Sequence, residues 1–411
     1  MRLSSIAAVA GEGGWYVDDK PAFAARASLE HYLVTGSPLT PGFEQVREPG
    51  QIISVSIKLS DGTVAVGEGG SVTYAGIAGR DPVFRACSGI STVEEHISPA
   101  FAGAPVSDFR TLEQKLVGLS EQHGGFHTAV LYATSQALLQ AVATARRIPA
   151  ASVIADEYGL AIGPRDPKVA VQTGADRYSG VDKALYRQID VLPHGLIKSV
   201  GDDFGHQGEK LLDYARWIMA RIEQHQPRPD YHPCIHFDCY GTIGRAFDND
   251  IRTMAEYIER LAAVVSPLQL QIEAPVEAAT QAQQVELMAQ LRRALAELPE
   301  PVPQIIADEW CNTVADVELF ASAGAADLIQ IKMPDLGPLG DSIRAALICR
   351  KHGVGAYMGG SCNETDISAR TAVQVAVAVG ADQILARPGM GIDEAVCITR
   401  NELRRLRHLL A

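Results

Sequence analysis

The sequence predicts a (β/α)8 barrel of the TIM type, preceded by an N-terminal α+β capping domain. From about residue 168 onward, short apolar runs alternate with amphipathic helical segments in a nearly regular way, and there are eight such runs. The alternative, an open doubly wound nucleotide-binding sheet, lacks its signature, because the chain contains neither G-x-G-x-x-G nor a P-loop. The candidate strands are 168–173, 190–197, 234–240, 268–274, 303–309, 328–333, 354–359 and 383–387.

The N-terminal region has a different pattern. An apolar run over 52–59 and a second run over 63–66 are separated by Asp61-Gly62, which predicts a β-hairpin. Helical periodicity then covers 111–122 and 127–146. We therefore expect two domains, 1–160 and 161–411. The helices expected in the barrel are 207–225, 250–265, 277–298, 312–324, 338–352, 366–380 and 393–410.

Composition narrows the function classes. The chain of 411 residues is 47% hydrophobic and 21% charged, which is typical of a globular protein. Its 36 basic and 49 acidic residues give a net charge of −13, which argues against nucleic acid and anionic membranes as partners. The seven cysteines form no C-x-x-C, and no secretory h-region or 18-residue apolar span is found. We expect a cytoplasmic protein.

Acidic residues stand at the ends of three consecutive candidate strands. Asp238, Glu273 and Asp308 follow one another at intervals of 35 residues. In a barrel of this type, chemistry lies at the C-terminal ends of the strands, so these three side chains should converge. Converging carboxylates repel one another unless a cation lies among them, and oxygen-only ligands favour Mg²⁺ over zinc. The sequence thus predicts a magnesium site.

Further polar residues stand at other strand ends. Lys332 on the sixth strand and His194 on the second should approach the barrel centre from opposite sides, as two bases on the two faces of a carbon acid would. Four more polar candidates are Gln172, Gln330, Ser361 and Cys362.

Structural explanations compete with these interpretations. Asp308 could cap the helix that starts near 312, Glu273 could pair with an arginine, and Lys332 could extend toward solvent at its strand end. His236 is interpreted as a buried core histidine. A metal cluster of His232, Cys234, His236 and Cys239 is disfavoured, because Cys239 points to the opposite face of its strand from Cys234 and His236.

An Asp-Glu-Asp triad on strands three to five, followed by a lysine on strand six, resembles the residue pattern of the enolase superfamily. Longer blocks resemble the methylaspartate ammonia-lyase family from the first domain to the last helix. These blocks are 46–50, 79–82, 176–178, 181–183, 190–194, 238–244, 331–335, 362–365 and 387–391.

The resemblance implies reversible conversion of L-threo-3-methylaspartate to mesaconate and ammonia through an aci-carboxylate intermediate. It implies that Asp238, Glu273 and Asp308 hold Mg²⁺. It also implies that K⁺ activates the enzyme and that the enzyme is a homodimer. Lys332 would remove the C3 proton, and His194 would stabilise the intermediate or serve the other C3 epimer. Substrate-binding residues would be Gln172, Gln330, Ser361, Cys362 and Leu385, the last forming an apolar wall for the methyl group.

One position departs from the family pattern: Ser361 stands where threonine is expected, so the hydroxyl is kept and a methyl group is lost. Two other hypotheses remain open. A racemase or cycloisomerase of the same superfamily would share proton abstraction but not the later steps of the reaction. A non-catalytic barrel would be expected to have lost a ligand or the base, and neither is missing.

Overall fold

The computed structural model describes residues 1–24, 28–30, 33–77, 79–174, 176–225, 228, 230–386, 389 and 391–411. Its N-terminal part is a capping domain built around an antiparallel sheet in the order β1-β4-β5, with a separate pair of short strands. The strands are β1 (Leu3–Asp18), β2 (Ser28–Glu30), β3 (Leu33–Thr35), β4 (Arg47–Leu59) and β5 (Val64–Gly70). The helices are α1 (Lys20–Ala24), α2 (Ala86–Thr92), α3 (Ser98–Phe101), α4 (Phe109–Gln122), α5 (Thr128–Arg146) and α6 (Ala150–Tyr158), with a π-helical segment at Val93–Ile97.

The predicted hairpin is confirmed, because β4 and β5 pair antiparallel from Ile52 opposite Gly70 to Lys58 opposite Val64. Strand β1 was missed by the sequence analysis. It lies at the edge of the sheet and many of its side chains are exposed, so it has little hydrophobic periodicity, and its pairing with β4 holds it in place.

The Gly67-x-Gly69 pair in β5 serves packing. A Cβ atom at Gly67 would lie 2.1 Å from the carbonyl oxygen of Ala133, and one at Gly69 would lie 2.4 Å from that of Ala129. Both carbonyls belong to α5, a buried alanine-rich helix. The two glycines therefore allow this helix to pack directly on the sheet.

The C-terminal part is the predicted closed barrel of eight parallel strands, each followed by helical structure. Its strands are β6 (Lys168–Ala170), β7 (Val191–Leu196), β8 (Cys234–Asp238), β9 (Leu270–Glu273), β10 (Gln304–Ala307), β11 (Leu328–Lys332), β12 (Gly355–Gly359) and β13 (Gln383–Leu385). Its helices are α7 (Arg177–Tyr186), α8 (Glu209–His225), α9 (Thr242–Ala246), α10 (Ile251–Val265), α11 (Gln281–Leu295), α12 (Val314–Ser322), α13 (Met333–Leu336), α14 (Leu339–Lys351), α15 (Asp366–Val379) and α16 (Ile392–Leu410), with a π-helical segment at Val200–Phe204.

Each predicted barrel strand exists, but several are shorter than predicted. The fifth ends at Ala307, so Asp308 directly follows it, and the eighth ends at Leu385. Position 387, with part of the block 387–391, lies outside the described residues. The predicted helix 277–298 begins only at Gln281, because Thr280 caps it.

The capping domain covers the C-terminal end of the barrel through the segment between β5 and α2, of which residues 71–77 and 79–85 are described and which we call the cap loop. The Asn363 side chain, after β12, donates a hydrogen bond to the backbone oxygen of Ser71 (3.0 Å). The expected boundary between 160 and 161 falls in the connection between α6 and β6 and stays a prediction. Among the described residues, no helix combines the length and apolar character needed to cross a membrane.

Candidate active site

Asp238, Glu273 and Asp308, here called the carboxylate row, lie side by side at the C-terminal end of the barrel. Asp238 ends β8 and is the register partner of Glu273, which ends β9. Asp308 follows the last residue of β10, the next strand in the barrel. The three residues are 3%, 0% and 8% exposed. Strand order therefore brings together the acidic residues that the sequence placed at consecutive strand ends.

Their electrostatics fit a hard divalent cation. Burial raises the pKa of Glu273 well above its ordinary value, and the charges of Asp238 and Asp308 raise it further. Burial also raises the pKa of Asp308, to about 6, although Lys332 opposes the shift. Oε2 of Glu273 accepts no well-directed hydrogen bond. Oδ1 of Asp308 likewise accepts no well-directed hydrogen bond, and carboxylate oxygens with unmet bonding capacity are suitable ligands for Mg²⁺.

Lys332 flanks the row at one end. It is the last residue of β11, and its Nζ lies 2.6 Å from Oδ1 and 2.7 Å from Oδ2 of Asp308. Burial lowers the pKa of Lys332, but Asp308 and Glu309 raise it more strongly, so the net shift is upward. The lysine does not extend into solvent, and Asp308 does not cap α12, whose N-cap is Thr313.

His194 flanks the row at the other end, on β7. Its Nε2 lies 3.6 Å from Oδ2 of Asp238, and its Nδ1 lies 3.8 Å from Oε2 of Glu273 and 3.4 Å from the hydroxyl of Tyr357. The residue is 2% exposed, and its backbone has φ of +48°. Because β7 to β11 are consecutive in the barrel, His194 and Lys332 stand at opposite ends of the row.

His236 is buried as expected, yet it is more than a core residue. It is fully buried on β8, its Nε2 lies 2.9 Å from Oε2 of Glu273, and its ring centroid is 4.5 Å from that of His194. Suitable ligand atoms of His194, His236 and Glu273 all lie within 4.8 Å of one another. The sequence analysis interpreted His236 as a core histidine; its place two residues before Asp238, on the same face of β8, was the signal that could have linked it to the site.

The remaining sequence candidates line the same end of the barrel. Gln330 is 3% exposed, and its amide donates a hydrogen bond to Oε1 of Glu273. Glu273 is thus held by an amide and a histidine, not by an arginine. Gln172 is half-buried just past the end of β6, and Leu385 packs in the barrel interior beside Tyr357.

Ser361 and Cys362 follow β12 in the turn that contacts the cap loop. Ser361 is 7% exposed, and its Oγ accepts a hydrogen bond from the backbone N–H of Asn363. Cys362 is a partly exposed free thiol. Burial raises the pKa of Cys362, and the nearby hydroxyl of Thr73 opposes the rise. Cys362 therefore lines the site as a thiol.

The sequence analysis missed Arg80, which the cap loop inserts beside the carboxylate row. Its Nε lies 2.9 Å from Oδ2 of Asp335, its Nη2 lies 3.4 Å from Oε2 of Glu309, and its side chain is 5% exposed. Burial raises the pKa of Glu309, but Arg80 and Lys332 lower it to about 2. Only the block 79–82 hinted at this residue, because its partners lie more than 200 positions away in the chain.

Comparison with known proteins identifies the family. The C-terminal model of methylaspartate ammonia-lyase matches residues 161–411, and the N-terminal model of that family matches 1–159. The chain is 41% identical over 406 residues to methylaspartate ammonia-lyase of Clostridium tetanomorphum, covering 99% of this chain and 98% of that one. It is 42% identical over 410 residues to the Citrobacter amalonaticus enzyme, covering 100% and 99%.

Solved structures agree. The magnesium complex of β-methylaspartase from Clostridium tetanomorphum superimposes with a TM-score of 0.96 at 41% identity, covering 100% of this chain and 99% of that one. The Citrobacter amalonaticus lyase containing (2S,3S)-3-methylaspartic acid gives 0.97 at 42%, covering both chains fully.

A more distant similarity shows the fold alone. Muconate lactonizing enzyme from Pseudomonas putida superimposes with a TM-score of 0.60 at 16% identity, covering 92% of this chain and 85% of that one. The family expected from the sequence blocks is confirmed by the full-length matches at about 41%. This chain belongs to the methylaspartate ammonia-lyase family of enzymes.

Proposed function

We propose that the protein catalyses the reversible, Mg²⁺-dependent elimination of ammonia from L-threo-3-methylaspartate to give mesaconate. The observation that carries this proposal is the buried carboxylate row with Lys332 at one end and His194 at the other. The bound (2S,3S)-3-methylaspartic acid in the Citrobacter amalonaticus relative supports the choice of substrate. The magnesium complex of the Clostridium tetanomorphum relative supports the choice of metal.

Asp238, Glu273 and Asp308 would hold the metal. A magnesium ion at this position supplies positive charge beside the substrate carboxylate on which negative charge develops once the C3 proton is removed. Gln330 and His236 contact Glu273 and would keep this carboxylate oriented. The apolar strands beneath the row separate it from bulk water and strengthen these interactions.

Lys332 would accept the C3 proton. In its ion pair with Asp308 it is held as an ammonium, which cannot act as a base. When Asp308 serves as a metal ligand, its charge is shared and no longer stabilises the ammonium to the same extent. Neutral Lys332 would then take the proton from C3, and the electrons of the C3–H bond would pass into the adjacent carboxylate to give the aci-carboxylate. These electrons would next form the C2–C3 double bond as the C2–N bond breaks and ammonia leaves.

His194 would act on the opposite face of the substrate. Its contacts with Tyr357 and Asp238 fix the orientation of the ring. From that side it would stabilise the intermediate, or remove the C3 proton of the other epimer. Gln172, Gln330, Ser361 and Cys362 would bind the polar groups of the substrate, and Leu385 would pack against its methyl group.

Other parts of the proposal derive from the sequence. K⁺ as an activator, the homodimer and the cytoplasmic location are predictions from the sequence. The division into domains 1–160 and 161–411 is supported by the two family models, which end at 159 and begin at 161.

In the test, the protein is incubated with (2S,3S)-3-methylaspartate, Mg²⁺ and K⁺. The absorbance of mesaconate and the release of ammonia are then measured. We expect product with Mg²⁺, none with EDTA, and recovery when excess Mg²⁺ is added back. Exchange or inversion at C3 without ammonia release would instead identify a racemase, and a cyclised product a cycloisomerase. Product formation that survives EDTA treatment and removal of metal would contradict the assigned role of the carboxylate row.

A further inference from the structure

Lys198 stands at the mouth of the site, where the barrel meets the cap loop. It lies two residues beyond the end of β7, and its Nζ donates a hydrogen bond to the hydroxyl of Tyr74 in the cap loop (3.1 Å). The same ammonium lies 5.2 Å from the ring centroid of Tyr240 and 5.9 Å from that of Tyr74. Two aromatic rings from different domains therefore fix the position of one cation.

The Lys198 charge differs from the other cations around the site. Lys332 pairs with Asp308, and Arg80 pairs with Asp335 and Glu309. Among the described residues, no carboxylate lies within ion-pair distance of the Lys198 ammonium. A positive charge held at the opening of an acidic protein and lacking a carboxylate partner is available to a bound anion.

The surroundings of Lys198 belong to the site. Its side chain is accessible to solvent, and partial enclosure by the mouth lowers its pKa. The hydrogen bond with Tyr74 and the charge of Asp238 raise the pKa by more, and Cys362 also contributes. The backbone N–H of Ile197, next to Lys198, donates a hydrogen bond to the backbone oxygen of Asp238 (2.8 Å), and the cap loop that carries Tyr74 contacts Asn363 in the turn after β12. Lys198 thus stands beside both the carboxylate row and that turn.

We propose that Lys198 is the counter-ion of the second substrate carboxylate, the one that does not bind at the carboxylate row. This inference rests on the proposed function, because it requires a substrate with two carboxylates. One carboxylate is then held at the row, and the other reaches the mouth beside Cys362. A charged hydrogen bond to that group selects dicarboxylates over monocarboxylates.

Lys20 provides a matched control. Its ammonium also lies over the ring of Tyr74, 5.5 Å from the centroid, but it pairs with Glu277 at 3.5 Å. Lys198→Gln removes the unpaired charge, Lys198→Arg keeps a charge, and Lys20→Gln removes a paired charge from the same tyrosine. Both positions are accessible to solvent, so the three variants should fold, which circular dichroism checks.

The test measures mesaconate and crotonate binding to the Mg²⁺-loaded protein by calorimetry, together with kcat and KM for 3-methylaspartate. We expect Lys198→Gln to raise the mesaconate Kd and the substrate KM by roughly 10- to 100-fold, with kcat nearly unchanged. Its effect on crotonate, which has one carboxylate, should be much smaller. Lys198→Arg should recover most of the affinity, and Lys20→Gln should change it less than about fivefold.

Two negative outcomes are distinguishable. If the wild type binds mesaconate and Lys198→Gln binds it equally well, or loses no more affinity than Lys20→Gln, the role of Lys198 is wrong and the proposed function stands. If the wild type binds neither mesaconate nor 3-methylaspartate, both proposals fall together.

Discussion

The carboxylate row and the cap loop contribute residues to the same site, but these residues come from different domains of the chain. The row is built from consecutive barrel strands, so chain order and spatial order coincide, and Asp238 and Glu273 are register partners. The cap loop reaches the barrel from another domain, and Arg80 meets Asp335 across 255 positions of sequence. Residues on the row carry the proposed chemistry, whereas those on the cap loop pair with the charges that surround it.

This difference indicates that the barrel strands and the capping domain have separate roles in the site. A regular scaffold holds the metal ligands and the bases at fixed positions, as rigid strand ends do in barrel enzymes. The capping domain contributes the buried guanidinium of Arg80 and the hydroxyl of Tyr74. Both residues stand on a loop, where substitutions leave the barrel strands unchanged. Substitutions in the row should therefore affect the chemical step, and substitutions at the cap contacts should affect stability or binding.

The largest effect is expected for Lys332→Ala. Loss of the proposed base should lower kcat by about 100- to 10,000-fold, while Mg²⁺ still binds to the three carboxylates. Steady-state assays and Mg²⁺ titration calorimetry test this together. Lys351→Ala is the control, since Lys351 is an exposed lysine on α14 that pairs with Glu318 far from the row. A Lys332→Ala enzyme with full activity would remove lysine from the mechanism.

The next largest effect concerns the cap. Arg80→Met removes the buried guanidinium that pairs with Asp335 and Glu309, which should cost about 3–5 kcal/mol of unfolding free energy. Denaturant unfolding measures it, and Arg252→Met, which breaks an exposed pair with Glu256, should cost at most about 1 kcal/mol. Equal costs for the two variants would contradict the buried anchoring role of Arg80.

Lys332 and Arg80 also show which parts of the site could be predicted from the sequence. Lys332 was predicted because strand periodicity and barrel topology together decide where a strand-end side chain points. Arg80 was not predicted, because the geometry of a loop and the contacts between distant segments of the chain leave no periodic pattern in the sequence. Strand β1 was missed for a related reason: an edge strand with many exposed side chains lacks the alternation that marks a strand.

His236→Gln tests whether the row depends on support from the barrel interior. Loss of the histidine beside Oε2 of Glu273 should weaken Mg²⁺ binding by roughly 10- to 100-fold, with a smaller effect on kcat at saturating Mg²⁺. The activity is measured against Mg²⁺ concentration. His232→Gln changes an exposed histidine just before the same strand and should leave the Mg²⁺ dependence unaltered. An unchanged Mg²⁺ dependence in His236→Gln would make His236 a packing residue only.

The smallest effect is expected at Glu113, a second contact between cap and barrel. This carboxylate on α4 accepts hydrogen bonds from the hydroxyl of Ser135 and from the backbone N–H of Gly340 at the start of α14. Burial raises its pKa, and the hydrogen bonds only partly oppose the rise. A raised carboxyl pKa means that the folded state favours the protonated form. Its contribution to stability is therefore complete below the unfolded-state pKa and is lost as the pH rises through the folded-state pKa.

Glu113→Gln keeps an oxygen acceptor but cannot ionise, so it should not suffer this loss. Relative to wild type, its Tm should gain more at about pH 8 than at about pH 5, which thermal unfolding at the two pH values measures. Glu121→Gln changes an exposed carboxylate on the same helix and should give the same small shift at both. A gain for Glu113→Gln that is independent of pH would show that the carboxylate is ionised in the folded protein throughout this range. The cap contact at Glu113 would then resemble that of Arg80, a buried charge held by its partners.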